Sequence, residues 1–176
     1  MASTSLRALA GYLGVPERTL RRAAADGVIR GERISPRRYV TTLREEDYLR
    51  RHWPLLRDLR DALRTEPNVR LAVLFGSHAT GRVTDRSDID LLVILEDPSA
   101  GRVADLSGRL EDRMERPVQL VRLEEAGGSP ALMNDILDQG RVMVDRDDAW
   151  TRLRQQPTHD DRGDLPLDQL MPDLHA

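Results

Sequence analysis

Two carboxylates two residues apart, Asp88 and Asp90, close a segment that opens with Gly76-Ser77, and ten residues separate the two motifs. Apolar runs flank them: Leu71 to Phe75 before the glycine, and Ile89 with Leu91 to Val93 around the second carboxylate. On a strand, residues two apart point to one face. Two carboxylates there can hold Mg²⁺ ions that bridge a triphosphate and stabilise the charge of an in-line displacement. Gly76 lets the backbone approach a phosphate. The Ser77 hydroxyl and the N–H groups of the turn can bond phosphate oxygens. Gly-Ser alone is usually a turn, and Asp-x-Asp alone a solvated pair. Their joint occurrence between apolar strands favours a nucleotide site, with Gly76 and Ser77 binding the nucleotide and Asp88 and Asp90 serving as metal ligands and catalytic residues. His78 and Arg82 either touch phosphates or face solvent.

Gly-Ser, ten residues, then Asp-Ile-Asp closely resembles the minimal nucleotidyltransferase family of the polymerase β-like superfamily. The resemblance implies Mg²⁺ and ATP, or another nucleoside triphosphate, as cofactor and substrate. It also implies a third carboxylate on a later strand, which completes the metal site and is a candidate base for the attacking hydroxyl. In Pro117-Val118-Gln119-Leu120-Val121 that place is taken by Gln119. A neutral amide coordinates weakly and cannot accept a proton at pH 7. Glu124 and Glu125 follow shortly after and are weaker candidates for the role. Nucleotide binding is therefore expected more firmly than catalysis.

The positioning elements can be read outward from the motif. Val69 to Phe75, Asp88 to Leu95 and Val118 to Leu123 read as strands, residues 103–115 and Ala131 to Leu137 as helices, and Arg141 to Val144 as a short strand or turn. The alternation is an α/β (α+β) pattern with a small mixed sheet. Upstream, residues 5–13 read as a helix, Gly14 as a turn, and a second helix opens at Val15-Pro16 and ends near Asp26-Gly27. Val28-Ile29 and Tyr39-Val40 are β-prone segments around an Arg-rich turn. Glu45 to Leu63 reads as a longer helix that Pro54 should kink or split.

Helix, glycine turn, helix is the helix-turn-helix spacing. Arg18, Arg21 and Arg22 lie on the second helix, where arginine suits guanine or phosphate in a major groove. Arg33, Arg37 and Arg38 fall in a β-wing, where they suit backbone contact. The segment resembles the winged helix-turn-helix of the MerR and excisionase kind, in which a Gly-Val-Ile turn leads to a basic wing and then to a helix such as Thr42 to Leu49 here. DNA binding is expected, with protein docking as the competing role.

Charge divides along the same line. Residues 1–64 carry 14 Arg against 8 acidic residues, a net of +6, and residues 65–176 carry 13 Arg against 22, a net of −9. The expected organisation is a helix-turn-helix unit over 1–64, a nucleotidyltransferase-like unit over 65–150 joined through Thr65 to Asn68, and a polar, flexible tail over 151–176. Leu165, Leu167, Leu170, Met171 and Leu174 in that tail could dock. No cysteine is present and the four histidines are scattered, which argues against disulfides and zinc. No apolar run approaches a membrane span, so a cytoplasmic protein is expected.

Three functions remain open. The resemblance implies the antitoxin of a bacterial toxin–antitoxin pair, which represses its own operon through DNA and transfers AMP from ATP to a HEPN-type ribonuclease partner. A catalytically impaired, nucleotide-binding repressor is the second, and Gln119 favours it. A small-molecule nucleotidyltransferase is the third, disfavoured by the basic front half. A homodimer is compatible with each.

Overall fold

The computed structural model describes residues 3–36 and 38–155. Arg37 and the apolar residues of the tail between Leu165 and Leu174 lie outside them.

The N-terminal segment forms strand β1 (Ser3–Ser5), helix α1 (Leu6–Leu13), helix α2 (Glu17–Ala25), strands β2 (Glu32–Ser35) and β3 (Arg38–Thr42), and helix α3 (Leu43–Arg64). Ser5 starts α1 by accepting from the Ala8 N–H at 3.2 Å. Gly14 (φ 65°) and Gly27 (φ 85°) take left-handed conformations after α1 and α2. Val28-Ile29 is not a strand; both side chains are buried in the core, and the hairpin forms further on. Strands β1, β3 and β2 make an antiparallel sheet in that order.

Helix α3 starts on Thr42, whose side chain accepts from the Glu45 N–H at 3.1 Å, with Glu45 and Glu46 in its first turn. Pro54 does not split it. Pro54 is solvent-exposed, so water can serve the Arg50 carbonyl that loses its N–H partner. Leu49, Leu56, Leu59 and Leu63 line its buried side at helical spacing.

The second half contains β4 (Val69–Phe75), α4 (Gly76–Thr80), β5 (Ile89–Leu95), α5 (Ala100–Met114), β6 (Val118–Arg122), α6 (Leu123–Gly127), α7 (Pro130–Gln139), β7 (Arg141–Asp145) and α8 (Ala149–Gln155). Its sheet runs β6-β5-β4-β7. Strand β5 is antiparallel to β4 and parallel to β6, so the sheet is mixed. Three short helices, α4, α6 and α8, were not expected, and the last includes residues 151–155 of the polar tail.

The sheet is buried on both faces. On one, Leu74, Ile89, Leu91 and Val93 pack with Leu56, Leu59, Leu106 and Leu110. On the other, Leu71, Val73, Phe75 and Leu92 pack with Ala126 and Ile136. The first cluster also takes in Leu9, Leu20 and Leu49, so apolar contact runs unbroken from α1 and α2 to the sheet. Among the described residues, no helix is long and apolar enough to cross a membrane.

Candidate nucleotide site

Strand β4 ends at Phe75, and Gly76 turns the chain with φ 67°. This is the left-handed region, which a side chain adopts only at a cost. A Cβ at Gly76 would also overlap Asp90 Oδ2. The glycine is thus required twice, by the turn into α4 and by the carboxylate beside it. Ser77 follows, half-buried, and Thr80 secures the short helix by donating to the Gly76 and Ser77 carbonyls at 3.1 and 3.2 Å.

Asp90 lies opposite Phe75 on one side and opposite Gln119 on the other. Leu92 belongs to the cluster on the α6 and α7 face, and pleat alternation puts Asp90 on that same face. Asp88 stands one residue before the strand rather than within it, two residues from Asp90, and is exposed. Burial raises the Asp90 pKa above the ordinary carboxylate value, and the neighbouring Asp88 charge raises it further. A cation held beside the two carboxylates would offset that charge.

Gln119 is exposed and sits in register with Asp90. The site therefore offers two carboxylates and one amide. Among the described residues, no group of three His, Cys, Asp or Glu is arranged to hold a metal ion. Glu125 does not substitute. It caps α6, accepting from the Arg122 N–H at 3.0 Å and from its guanidinium at 2.9 and 2.6 Å. Glu124 is exposed.

His78 is not a solvent-facing loop residue. It is buried, its Nε2 lies 3.4 Å from the Ser87 carbonyl, and burial lowers its pKa. Tyr48 of α3 donates to the His78 carbonyl at 2.7 Å, and Arg141 Nε donates to the Ala79 carbonyl at 2.9 Å. These clamps on α4 have no signature in the sequence. An arginine at the start of β7 reads as a surface charge, and only the fold shows it buried.

The sequence profile of the family described as "Polymerase beta, Nucleotidyltransferase" matches residues 57–149, more than half of the chain. The chain belongs to this family. The nucleotidyltransferase match covers the whole mixed sheet, both motifs and Gln119, and it begins inside α3. Comparison with curated proteins finds no match. Among solved structures, the nucleotidyltransferase is similar to a toxin–antitoxin with AMP-PNP, at 26% identity and TM-score 0.48 over 56% of this chain and 80% of that one. It is also similar to a MntA–HepT toxin–antitoxin, at 23% identity and TM-score 0.44 over 58% and 80%. A third is the tri-AMPylated Shewanella oneidensis HEPN toxin in complex with MNT antitoxin, at 24% identity and TM-score 0.40 over 58% and 76%.

Of the expected DNA-contacting residues, Arg18, Arg21 and Arg22 are exposed on α2, and Arg33 and Arg38 are exposed on the β2–β3 hairpin. Arg21 pairs with Glu17 one turn earlier at 2.5 Å.

Proposed function

We propose that this nucleotidyltransferase binds the Mg²⁺ complex of a nucleoside triphosphate, ATP in the first instance, and that it transfers AMP slowly to a hydroxyl on a toxin partner. The observation that carries this reading is the register of Asp90, flanked on the sheet by the strand leading into the Gly76-Ser77 turn and by Gln119. Gly76 makes room for the Asp90 carboxylate beside the turn, and Ser77 offers a hydroxyl donor. Asp88 and Asp90 would hold the metal, which when bound neutralises triphosphate charge and polarises the reacting phosphoryl group.

Transfer joins the acceptor oxygen to the α-phosphorus and breaks the bond to the leaving pyrophosphate. The acceptor proton needs a base. Gln119 cannot supply one, which favours slow turnover and a role dominated by binding.

Residues 1–64, in this reading, form a winged helix-turn-helix that binds DNA and lets the protein repress its own operon. The net charge of +6, the α1–Gly14–α2 arrangement and the exposed arginines of α2 and the hairpin support it. A small-molecule-modifying enzyme has no need of such a segment. The partner assignment follows from this architecture and the motif resemblance.

Calorimetry with ATP and Mg²⁺ tests the site. The wild type should release binding heat, and a folded Asp88→Ala, Asp90→Ala variant should not. Equal heats for both proteins would move the nucleotide elsewhere.

A further inference from the structure

A cleft of about 380 Å³ lies between α2 and α3, away from the Gly76-Ser77 and Asp88-to-Asp90 motifs. Arg18 and Arg22 of α2 line one wall, and Arg57, Arg60 and Arg64 of α3 line the other. Among the described residues, Asp61 is the one carboxylate in the lining. Arg60 reaches Asp26 and Arg57 pairs with Asp58, so five arginines face three carboxylates and the cleft keeps a positive excess.

A second observation is independent of charge. The Trp53 indole N–H and the Arg60 Nε–H are buried, and neither has a hydrogen-bond partner among the described residues. Both residues line the cleft, and Trp53 is 95% buried at 5% exposure. Leaving a buried donor unpaired is costly, and more so for a charged group. Each such donor calls for an acceptor that the described residues do not supply. The Arg60 pKa is lowered by burial and by the charges of Arg64 and Arg22, so the guanidinium sits in a crowded positive field.

We propose that the α2–α3 cleft is a phosphate-binding site separate from the nucleotidyltransferase motif. Its ligand presents anionic phosphate oxygens, which accept from Trp53 Nε1 and Arg60 Nε while Arg18, Arg22, Arg57 and Arg64 neutralise the charge. A planar guanidinium fork matches phosphate geometry, and a buried indole can only donate. The same oxygens are offered by free pyrophosphate and by a DNA backbone. Arg18 and Arg22 are also the residues expected to approach duplex DNA.

The indole N–H resonance of Trp53 reports occupancy directly. The chain has two tryptophans, so Trp150→Phe assigns the signal. The full chain is titrated without Mg²⁺, in one arm with sodium pyrophosphate and in the other with a short random-sequence DNA duplex. The expected result is a saturable shift of the Trp53 signal in at least one arm. Affinity should fall at least about tenfold in Arg57→Gln, Arg64→Gln, since each lost charge-assisted bond is worth about that much. Both side chains are exposed, so this variant should keep its fold. Trp53→Phe, read by calorimetry, should weaken the same ligand, because it removes the indole donor and keeps an aromatic ring. A shift with pyrophosphate assigns a free phosphate ligand, and a shift with DNA alone assigns the backbone. No shift in either arm, or equal affinity in the Arg57→Gln, Arg64→Gln protein, overturns the proposal. Asp88→Ala, Asp90→Ala protein should respond like wild type, so this result stands or falls apart from the triphosphate site.

Discussion

Arg141 and Glu45 form a bidentate ion pair of 2.6 and 2.8 Å between the first strand-forming residue of β7 and the first turn of α3, with side-chain exposures of 1% and 7%. The same guanidinium donates to the Val28 and Ala79 carbonyls at 2.9 Å each and lies 3.7 Å from the centre of the Tyr48 ring. One buried cation thus holds the turn after α2, the start of α3 and the motif helix α4 together. Burial pushes the Tyr48 pKa up to about 12, so its hydroxyl remains a donor to His78 at physiological pH.

Breaking this pair from one side leaves a buried charge without a partner. Glu45→Gln should destabilise the fold by about 3–5 kcal/mol in urea unfolding. The loss should exceed that of exchanging both partners for apolar residues of similar volume. A loss below about 1 kcal/mol would mean that water reaches the pair.

Gly76→Ala should be destabilising out of proportion to its size. The left-handed conformation alone costs a residue with a Cβ about 1–2 kcal/mol, and the added methyl overlaps Asp90 Oδ2. A lowered thermal midpoint together with lost ATP binding is the expected pair of results. An unchanged midpoint would mean that the turn relaxes freely.

Gln119→Asp restores a carboxylate in register with Asp90, on the face where the polymerase β family resemblance expects one. Supplying a positioned base is commonly worth roughly 10²–10⁴-fold in rate. Labelled-ATP assays on wild type and variant should show slow transfer rising sharply. Robust wild-type transfer, unimproved by the change, would show that another group takes the proton.

Acid should weaken the fold before its ordinary carboxylates titrate. Burial lowers the pKa of both His52 and His78, and His52 is lowered further by the charge of His78. In the unfolded chain the two protonate near pH 6.5. The unfolded state then binds more protons than the folded one as pH drops through that value, so stability present above it is lost below. The thermal midpoint should fall between pH 7 and pH 5, and His52→Gln should flatten the fall. A pH-independent midpoint over that window would refute the assignment.

DNA affinity should fall steeply with salt, because arginine contacts to phosphates release counterions. Arg18→Ala, Arg21→Ala, Arg22→Ala should abolish gel-shift binding to the promoter of its own gene. Unchanged affinity would exclude α2 as the reader.

The triphosphate motif was legible because its demands are local. An apolar run, a glycine turn and alternating carboxylates each follow from backbone geometry, and Gln119 could be placed by strand counting. What stayed hidden depends on distant partners. Arg141 is one arginine among 27 in the sequence, and its burial requires Glu45 to arrive from 96 residues away. Pro54 reads as a helix breaker until its exposure is known. Helices α4 and α6 are five residues each, too short for a periodic signal.

Helix α3 has a consequence for how this protein can be divided. The family match starts at residue 57, while the helix begins at Leu43. Its N-terminal turns pack beside β3 and α1, and Leu56, Leu59 and Leu63 near its end are fully buried. The seam between the two halves is therefore a continuous rod rather than a hinge. A graft of the N-terminal segment onto another unit must bring α3 along, together with a sheet shaped to receive its leucines. Motion at one end of such a rod is delivered to the other without a flexible joint to absorb it.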